Sequence, residues 1–257
     1  MAPIPIILFG ATGRMGRAIR ALIPEFPDVS LIACVARSSD DVPCPPGCAW
    51  LTPDNLEVES ALPRDSVVID VSLAAGTARL LEWLEGAPRP LVCATTGLGE
   101  AEEGRMRSLA RRAAVLRARN LSVGNAVASG MLRSVPAGAR ALFGIDLVEH
   151  HHAAKHDAPS GTALAWASIL ASEPAAVNVA PDATKPRAPG EVRIHSLRSG
   201  TAAGTHRALF AGSGETIEVV HRVSDRAVFA RGALRAARFL KGKPPGLYTL
   251  ESMLDGS

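Results

Sequence analysis

The sequence predicts an α/β protein in two domains: a doubly wound parallel sheet, then an α+β domain with a mixed, largely antiparallel sheet. Three observations carry this. The chain opens on a short apolar run that ends in a glycine-rich turn ahead of a helix-compatible segment, within Ile4 to Ile23. Further apolar runs follow, each ending in small polar residues and joined to the next by a helix-compatible link. Late in the chain come three alternating runs with no helix between them: Glu191 to Arg198, Thr205 to Ala211 and Glu215 to Val223. The early pattern is that of strands buried on both faces, and the late one that of a sheet with one face uncovered.

Composition narrows the function. A chain of 257 residues can bury roughly three quarters of its unfolded surface, so a true core is available. An apolar fraction of 47% and a charged fraction of 21% fit a globular enzyme. Aromatics make up only 4% and the arginines are scattered, which argues against a base-stacking surface and excludes nucleic acid as an expected partner. The mild net charge of +3 suits an anionic small molecule. Cys44 and Cys48 are too far apart for a redox CxxC and have no histidine beside them, so no metal is expected. No apolar run approaches the roughly 18 residues of a membrane span. The opening residues lack a basic segment and read as a strand, so a cytoplasmic location is the expectation.

Taken in order, Ile4 to Phe9 reads as a buried central strand. It leads into Gly10-Ala11-Thr12-Gly13-Arg14-Met15-Gly16 and a helix over Arg17 to Ile23, stopped by Pro24. Strand, glycine turn and helix form the setting of a Rossmann-type dinucleotide site: the turn is tight, the backbone can approach a pyrophosphate, and a helix N-terminus faces the negative charge. The spacing is GxxGxxG, and an ordinary strand-to-helix turn is the plain alternative. Gly10, Thr12, Gly13, Arg14, Met15 and Gly16 are therefore candidate cofactor contacts. The second run, Val29 to Ala36, ends where an acidic residue would hold the ribose of NAD, but the residues there are Arg37, Ser38 and Ser39. An arginine with hydroxyls suits a 2′-phosphate, so NADPH is preferred; Asp40 and Asp41 keep NADH open.

Val42 to Pro63 reads as an irregular connection around Trp50 and Leu51, with a short helix at Asn55 to Leu62. Ser66 to Ser72 is a strand, Ala74 to Leu84 the crossover helix, and Leu91 to Gly97 the next strand. Glu100 to Ala113 is a helix and Ala114 to Ala118 a strand. The strand ends supply Ser72, then Ala94, Thr95, Thr96 and Gly97, then Asn120 and Leu121, as further cofactor candidates; a helix cap is the alternative for Thr95. Val123 to Phe143 is largely helical, and Ile145 to His151 is a strand.

That strand delivers the most polar stretch of the chain, Glu149 to Thr162, with His150, His151, His152 and His156 beside Lys155 and a Ser160-Gly161-Thr162 step at a helix start. Free N–H groups and two hydroxyls there would clamp a carboxylate, whereas a simple N-cap is the bland reading. Lys155 can neutralise a carboxylate or donate a proton, and a histidine titrates near neutrality. His151 and His152 are neighbours on a strand and point to opposite faces, so one of them is the acid. Glu173 to Gly190 reads as a surface excursion. After the three alternating runs, a helix over Asp225 to Leu240 and the segment Pro244 to Leu250 return to the first domain. The expected division is 1–122 with 227–257, and 123–226.

Gly10 to Gly16, the Thr95-Thr96-Gly97 step, Asn120 to Gly124, the stretch Glu149 to Thr162 and Arg226 to Gly232 together resemble the 4-hydroxy-tetrahydrodipicolinate (dihydrodipicolinate) reductase family over essentially the whole chain. The resemblance implies NAD(P)H-dependent reduction of a heterocyclic dicarboxylate in lysine and diaminopimelate biosynthesis. It implies His151 as proton donor, His152 as a substrate-binding histidine, and Lys155 as substrate-binding or assisting protonation. Ser160, Gly161 and Thr162 would hold a substrate carboxylate, Arg226 and Phe229 would join the cofactor contacts, and the second-domain sheets would assemble a homotetramer or a dimer. Departures from the family pattern are Ala153 and Ala154, usually larger and basic; Ala36, usually acidic; Ala94, commonly Gly; and Asn125-Ala126 after Gly124. Arg198 to His206 keeps the outline Arg-x-Gly…Gly-x-His. An imine or enamine reductase acting on another carboxylated substrate, and a non-catalytic NADP-binding protein, are the readings kept beside it.

Overall fold

The computed structural model describes residues 2–38, 46–56, 62–179 and 181–255. Ser39, Asp40, Asp41, Cys44 and most of the expected helix at Asn55 to Leu62 lie outside them. The chain divides into two compact units, one of residues up to Leu121 together with those from Ala227 onward, the other Ser122 to Arg226.

In the first unit β1 (Ile4–Phe9) is followed by α1 (Arg14–Leu22), β2 (Val29–Val35), β3 (Ala49–Leu51) and β4 (Val67–Asp70). Then come α2 (Ala74–Gly86), β5 (Leu91–Cys93), α3 (Glu100–Leu109) and β6 (Ala114–Arg117). β1 from Ile6 to Phe9 and the whole of β4 are buried, and both strands occupy the middle of the sheet, where residues are covered on both faces.

Two local expectations are corrected. Helix α1 starts at Arg14, not Arg17, because Gly13 already serves as its N-cap; Pro24 sits inside a 3-10 turn, Ile23 to Glu25, where its fixed φ is tolerated. The supposedly irregular Trp50 and Leu51 belong to an edge strand, with Cys34 opposite Trp50 and Val35 opposite Leu51. Trp50 is anchored there by the Arg20 guanidinium, 4.9 Å from its ring centre.

The second unit contains α4 (Val123–Ser134), α5 (Ala137–Arg140), β7 (Gly144–His151), α6 (Gly161–Leu170), β8 (Val177–Asn178), β9 (Val192–Arg198), β10 (Gly204–Ala211) and β11 (Thr216–Val223). Val135 and Pro136 break the expected single helix in two, since proline disfavours helical geometry at the residue before it. The sheet order is β11-β10-β7-β9-β8. β10 pairs antiparallel with both β7 and β11, but β9 runs parallel to β7. The sheet is mixed, as expected; the alternation of the late runs suggests antiparallel strands, and β9 is the exception, parallel to both its neighbours. β7 and β9 are joined through α6, and such a crossover produces a parallel pair.

The core of this unit lies on one face of the sheet, where Leu132, Trp166, Ala167 and Leu170 of the helices meet Ile145, Leu147, Ile194 and Phe210 of the strands. The chain then returns to the first unit as α7 (Ala227–Leu240), β12 (Gly246–Tyr248) and α8 (Leu250–Leu254). β12 adds to β6, which completes a seven-stranded sheet in the order β12-β6-β5-β4-β1-β2-β3. All its pairs are parallel, and the chain order reverses between β1 and β4. No helix among the described residues is long and apolar enough to cross a membrane.

Candidate active site

The switch point between β1 and β4 is where an open α/β sheet receives a nucleotide, and the residues there are built to leave room. Gly10 has φ of +79°, and a Cβ on it would stand 2.8 Å from the backbone of Ser72. A Cβ on Gly16 would stand 2.2 Å from the carbonyl oxygen of Gly10. Only hydrogen fits at either position, so the turn lies flat against both the β4 loop and its own helix. Asp70, fully buried at the end of β4, fixes that loop by accepting from the Ser72 amide (3.0 Å), the Ser72 hydroxyl (2.6 Å) and the Thr77 hydroxyl (2.5 Å).

Helix α1 begins at a glycine cap that offers no side-chain acceptor, which leaves the amides of Arg14, Met15 and Gly16 without intrahelical partners. This is the setting for a pyrophosphate. Ser72, the Ala94 to Gly97 step, Asn120 and Leu121 all follow the C-terminal ends of parallel strands of the same sheet, as does exposed Arg37 after β2. The Thr95 hydroxyl is buried and has no hydrogen-bond partner among the described residues. Its alternative role as a helix cap is ruled out, because α3 starts at Glu100 with Gly99 as its cap. A close-approach glycine cradle, open helix amides and an unpartnered buried hydroxyl at one sheet edge fit a dinucleotide. Phe229 lies on α7 of this unit, whereas Arg226 is the last residue of the other.

In the second unit, strand alternation puts Glu149 and His151 on the helix-covered face of β7 and turns His150 away, to the Ser199 hydroxyl 2.8 Å from its Nε2. Glu149 is fully buried. Its carboxylate accepts from His151 Nδ1 at 2.5 Å, from two Arg198 nitrogens at 2.9 and 2.6 Å, and from the Ser160 amide at 3.3 Å. Burial alone would raise this carboxyl, but the hydrogen bonds from Arg198 and His151 outweigh it and hold it at about 2. An ionised carboxylate can only accept, so His151 carries a proton on Nδ1. Burial lowers His151 below the usual histidine range, Glu149 pulls the other way, and Lys155 and Arg198 add to the lowering.

Ser160 caps α6 by accepting from the Ala163 amide at 3.2 Å, and its hydroxyl lies 2.8 Å from His206 Nε2. The cap and the clamp readings are thus both available to this serine. A Cβ on Gly161 would meet nothing within 4 Å, so the helix start faces open space. Lys155 Nζ bonds both oxygens of exposed Asp157, at 2.6 and 2.7 Å, and acts electrostatically on His151 and His206. His152 lies one residue past the end of β7, half-buried, with its amide bonded to the Ala202 carbonyl.

The structure therefore joins His151, Lys155, Ser160, Gly161 and Thr162 to three groups that were not among the sequence candidates: Glu149, Arg198 and His206. The i, i+2 spacing of Glu149 and His151 was a usable signal. The other two arrive through sheet register, with His151 opposite Arg198 and Glu149 opposite His206. Asn125 accepts from the Trp166 indole at 3.1 Å, tying α4 to α6, which gives this departure a structural use. Ligand atoms of Glu149, His151 and His206 lie within 4.8 Å of one another, but the Arg198 guanidinium already occupies both carboxylate oxygens and opposes a second cation there.

Comparison with known proteins agrees along the whole length. Residues 4–121 match the family described as "Dihydrodipicolinate reductase, N-terminus" and residues 126–254 match "Dihydrodipicolinate reductase, C-terminus". The chain is 40% identical to a 4-hydroxy-tetrahydrodipicolinate reductase of Thermomicrobium roseum, over 97% of this chain and 98% of that protein. It is 36% identical to one of Rubrobacter xylanophilus, over 99% of each. Its fold is that of the dipicolinate-bound dihydrodipicolinate reductase of Paenisporosarcina sp. TG-14, with a TM-score of 0.77 at 20% identity, covering 97% of this chain and 99% of that one. On the sequence match of both halves, the chain belongs to the dihydrodipicolinate reductase family.

Proposed function

We propose that the chain is an NAD(P)H-dependent 4-hydroxy-tetrahydrodipicolinate reductase, reducing the dehydrated heterocyclic dicarboxylate to tetrahydrodipicolinate in lysine and diaminopimelate biosynthesis. The observation that carries the reading is the grouping of a buried Glu149–His151 pair, Lys155 and the open N-terminus of α6 in a chain matched to this family from end to end. Gly10, Thr12, Gly13, Arg14, Met15, Gly16, Ser72, Ala94, Thr95, Thr96, Gly97, Asn120, Leu121, Arg226 and Phe229 would hold the cofactor, which supplies a hydride when bound.

The chain's own residues do the rest. The amides at the start of α6 and the hydroxyls of Ser160 and Thr162 receive one carboxylate, and Lys155 and His152 receive the charge of the substrate's other end. Lys155 is available because its present partner, Asp157, is exposed, and a surface ion pair exchanges for another anion at little cost. His151 gives a proton to the ring from Nε2, the nitrogen that Glu149 does not occupy. NADPH is the preferred cofactor, on the ground of Arg37 and Ser38 after β2, with NADH the alternative.

The test is loss of reduced-cofactor absorbance on adding freshly formed 4-hydroxy-tetrahydrodipicolinate; cofactor binding with no turnover would leave the other carboxylated imines as substrates. Lys155→Ala is expected to lower kcat/KM about 100-fold or more with cofactor affinity unchanged. The sheet face opposite α4 and α6 exposes Leu197 and Val220, and a homotetramer built through it is the proposed assembly, with a dimer as the alternative. Sedimentation velocity distinguishes the two.

A further inference from the structure

Glu149 and Arg198 form a charged, largely buried pair to which neither substrate nor cofactor has been assigned. Burying such a pair is costly unless its polar atoms are used; here both carboxylate oxygens are used twice, and Arg198 Nε alone of the pair is buried without a partner among the described residues. Glu149 Oε2 receives His151 Nδ1 and one Arg198 nitrogen, while Oε1 receives the other Arg198 nitrogen and the Ser160 amide. The same guanidinium bonds the Asp157 carbonyl at 2.5 Å, in the loop that carries Lys155. One carboxylate thus touches both the ring of His151 and the N-cap residue of the anion-receiving helix, and its counter-ion touches the lysine loop.

We propose that Glu149, held by Arg198, is the positioning residue of this site: it fixes His151 with its proton on Nδ1, leaving Nε2 as the atom that gains and gives the reaction's proton, and sets that ring against the start of α6. The inference deepens the reductase reading and rests on it.

The charged and titratable groups around His151 are Glu149 from its own strand, Arg198 from β9, Lys155 from the following loop and His206 from β10, whose ring centre lies 5.1 Å away. Glu149 is the anion of this set and the others are cations or neutral. Removing the anion and removing its counter-ion must therefore move His151 in opposite directions, and a merely structural pair predicts no such opposition.

The experiment measures the His151 titration by nitrogen-15 NMR in the intact protein, and the pH dependence of kcat with 4-hydroxy-tetrahydrodipicolinate. Glu149→Gln is expected to lower the titration point by about one unit or more, so that kcat near neutrality falls about tenfold for each unit while cofactor affinity stays unchanged. Arg198→Gln is expected to raise it, and Arg198→Lys, which keeps the charge, to leave it near the parent value. Should Arg198→Gln not fold, Glu149→Gln and Arg198→Lys decide the matter. A parent-like titration and kcat in Glu149→Gln, or shifts of one sign in both glutamine variants, would overturn the proposal. If the parent protein does not turn over the compound at all, the reductase reading fails, yet the titration still answers whether Glu149 positions His151.

Discussion

His206 occupies the harshest place for a charge in the second unit. Burial first, and then the cationic form of His151 facing it, push it down to about 3, so it is a neutral ring at any physiological pH. Its Nε2 lies 2.8 Å from the Ser160 hydroxyl and its Nδ1 is buried without a partner among the described residues. A buried N–H left unpaired costs more than an idle lone pair, so the proton belongs on Nε2 and is donated to Ser160. That hydroxyl then accepts twice, from His206 and from the Ala163 amide, and its own proton is free for an incoming carboxylate. The same shift has a consequence for stability. An unfolded histidine takes up its proton near pH 6.5, whereas folded His206 refuses it until about 3. The unfolded state therefore binds more protons between those values, and the stabilisation is complete above about pH 6.5 and is lost as the pH falls toward about 3. Urea midpoints at about pH 7.5, 5.5 and 4 are expected to fall more steeply for the parent than for His206→Gln, and parallel decline in the two would place the acid sensitivity elsewhere.

At the scale of elements, the two helix starts proposed to receive anions are made differently. α6 is capped by its own serine and so is formed without a ligand, whereas α1 starts at a glycine with no side-chain acceptor. Its first turn depends on backbone closeness: Gly16 passes the Gly10 carbonyl with room for a hydrogen alone. Gly16→Ala is expected to cost about 1–3 kcal/mol of stability and to weaken cofactor binding at least tenfold, read by thermal unfolding and by fluorescence titration. Unchanged affinity would mean that the cofactor does not sit on this turn.

The turn was legible in the sequence because its signal is local, a glycine pattern between an apolar run and a helical one. So were β1, β2, β4 and α2, whose apolar runs are long enough to declare themselves, and the Ser160 cap. β3 was missed because three residues between prolines carry no periodicity. The direction of β9 was missed because a strand's partner is chosen by distant residues. Glu149, Arg198 and His206 lie 49 and 57 positions apart along the chain from first to second and first to third, and only the register of three strands brings them together.

For the whole molecule, the consequential fact is that the chain leaves its first unit at Leu121 and comes back at Ala227. The returning α7 is structural to that unit: Ala230, Ala233, Leu234, Ala237 and Leu240 are buried in one core with Ile6, Leu8, Ile19 and Val92, and β12 extends its sheet. Residues 1–121 expressed alone should not fold cooperatively, since they lack one wall of that core. The break is nonetheless closely spaced. A Cβ on Gly232 would stand 1.8 Å from the Leu121 carbonyl oxygen, so the end of the first segment touches α7 five residues from its start, about 8 Å along a helix. A linker of about five residues, reaching up to about 17 Å, can therefore join residue 121 to residue 227. We expect that 1–121 fused through such a linker to 227–257 unfolds in a single cooperative transition and binds NADPH within about tenfold of the full chain, but reduces nothing, because Glu149, His151 and Lys155 have been removed. Loss of NADPH binding in a fusion that still folds cooperatively would assign part of the cofactor site to residues 122–226, with Arg226 the first to be tested by substitution in the full chain.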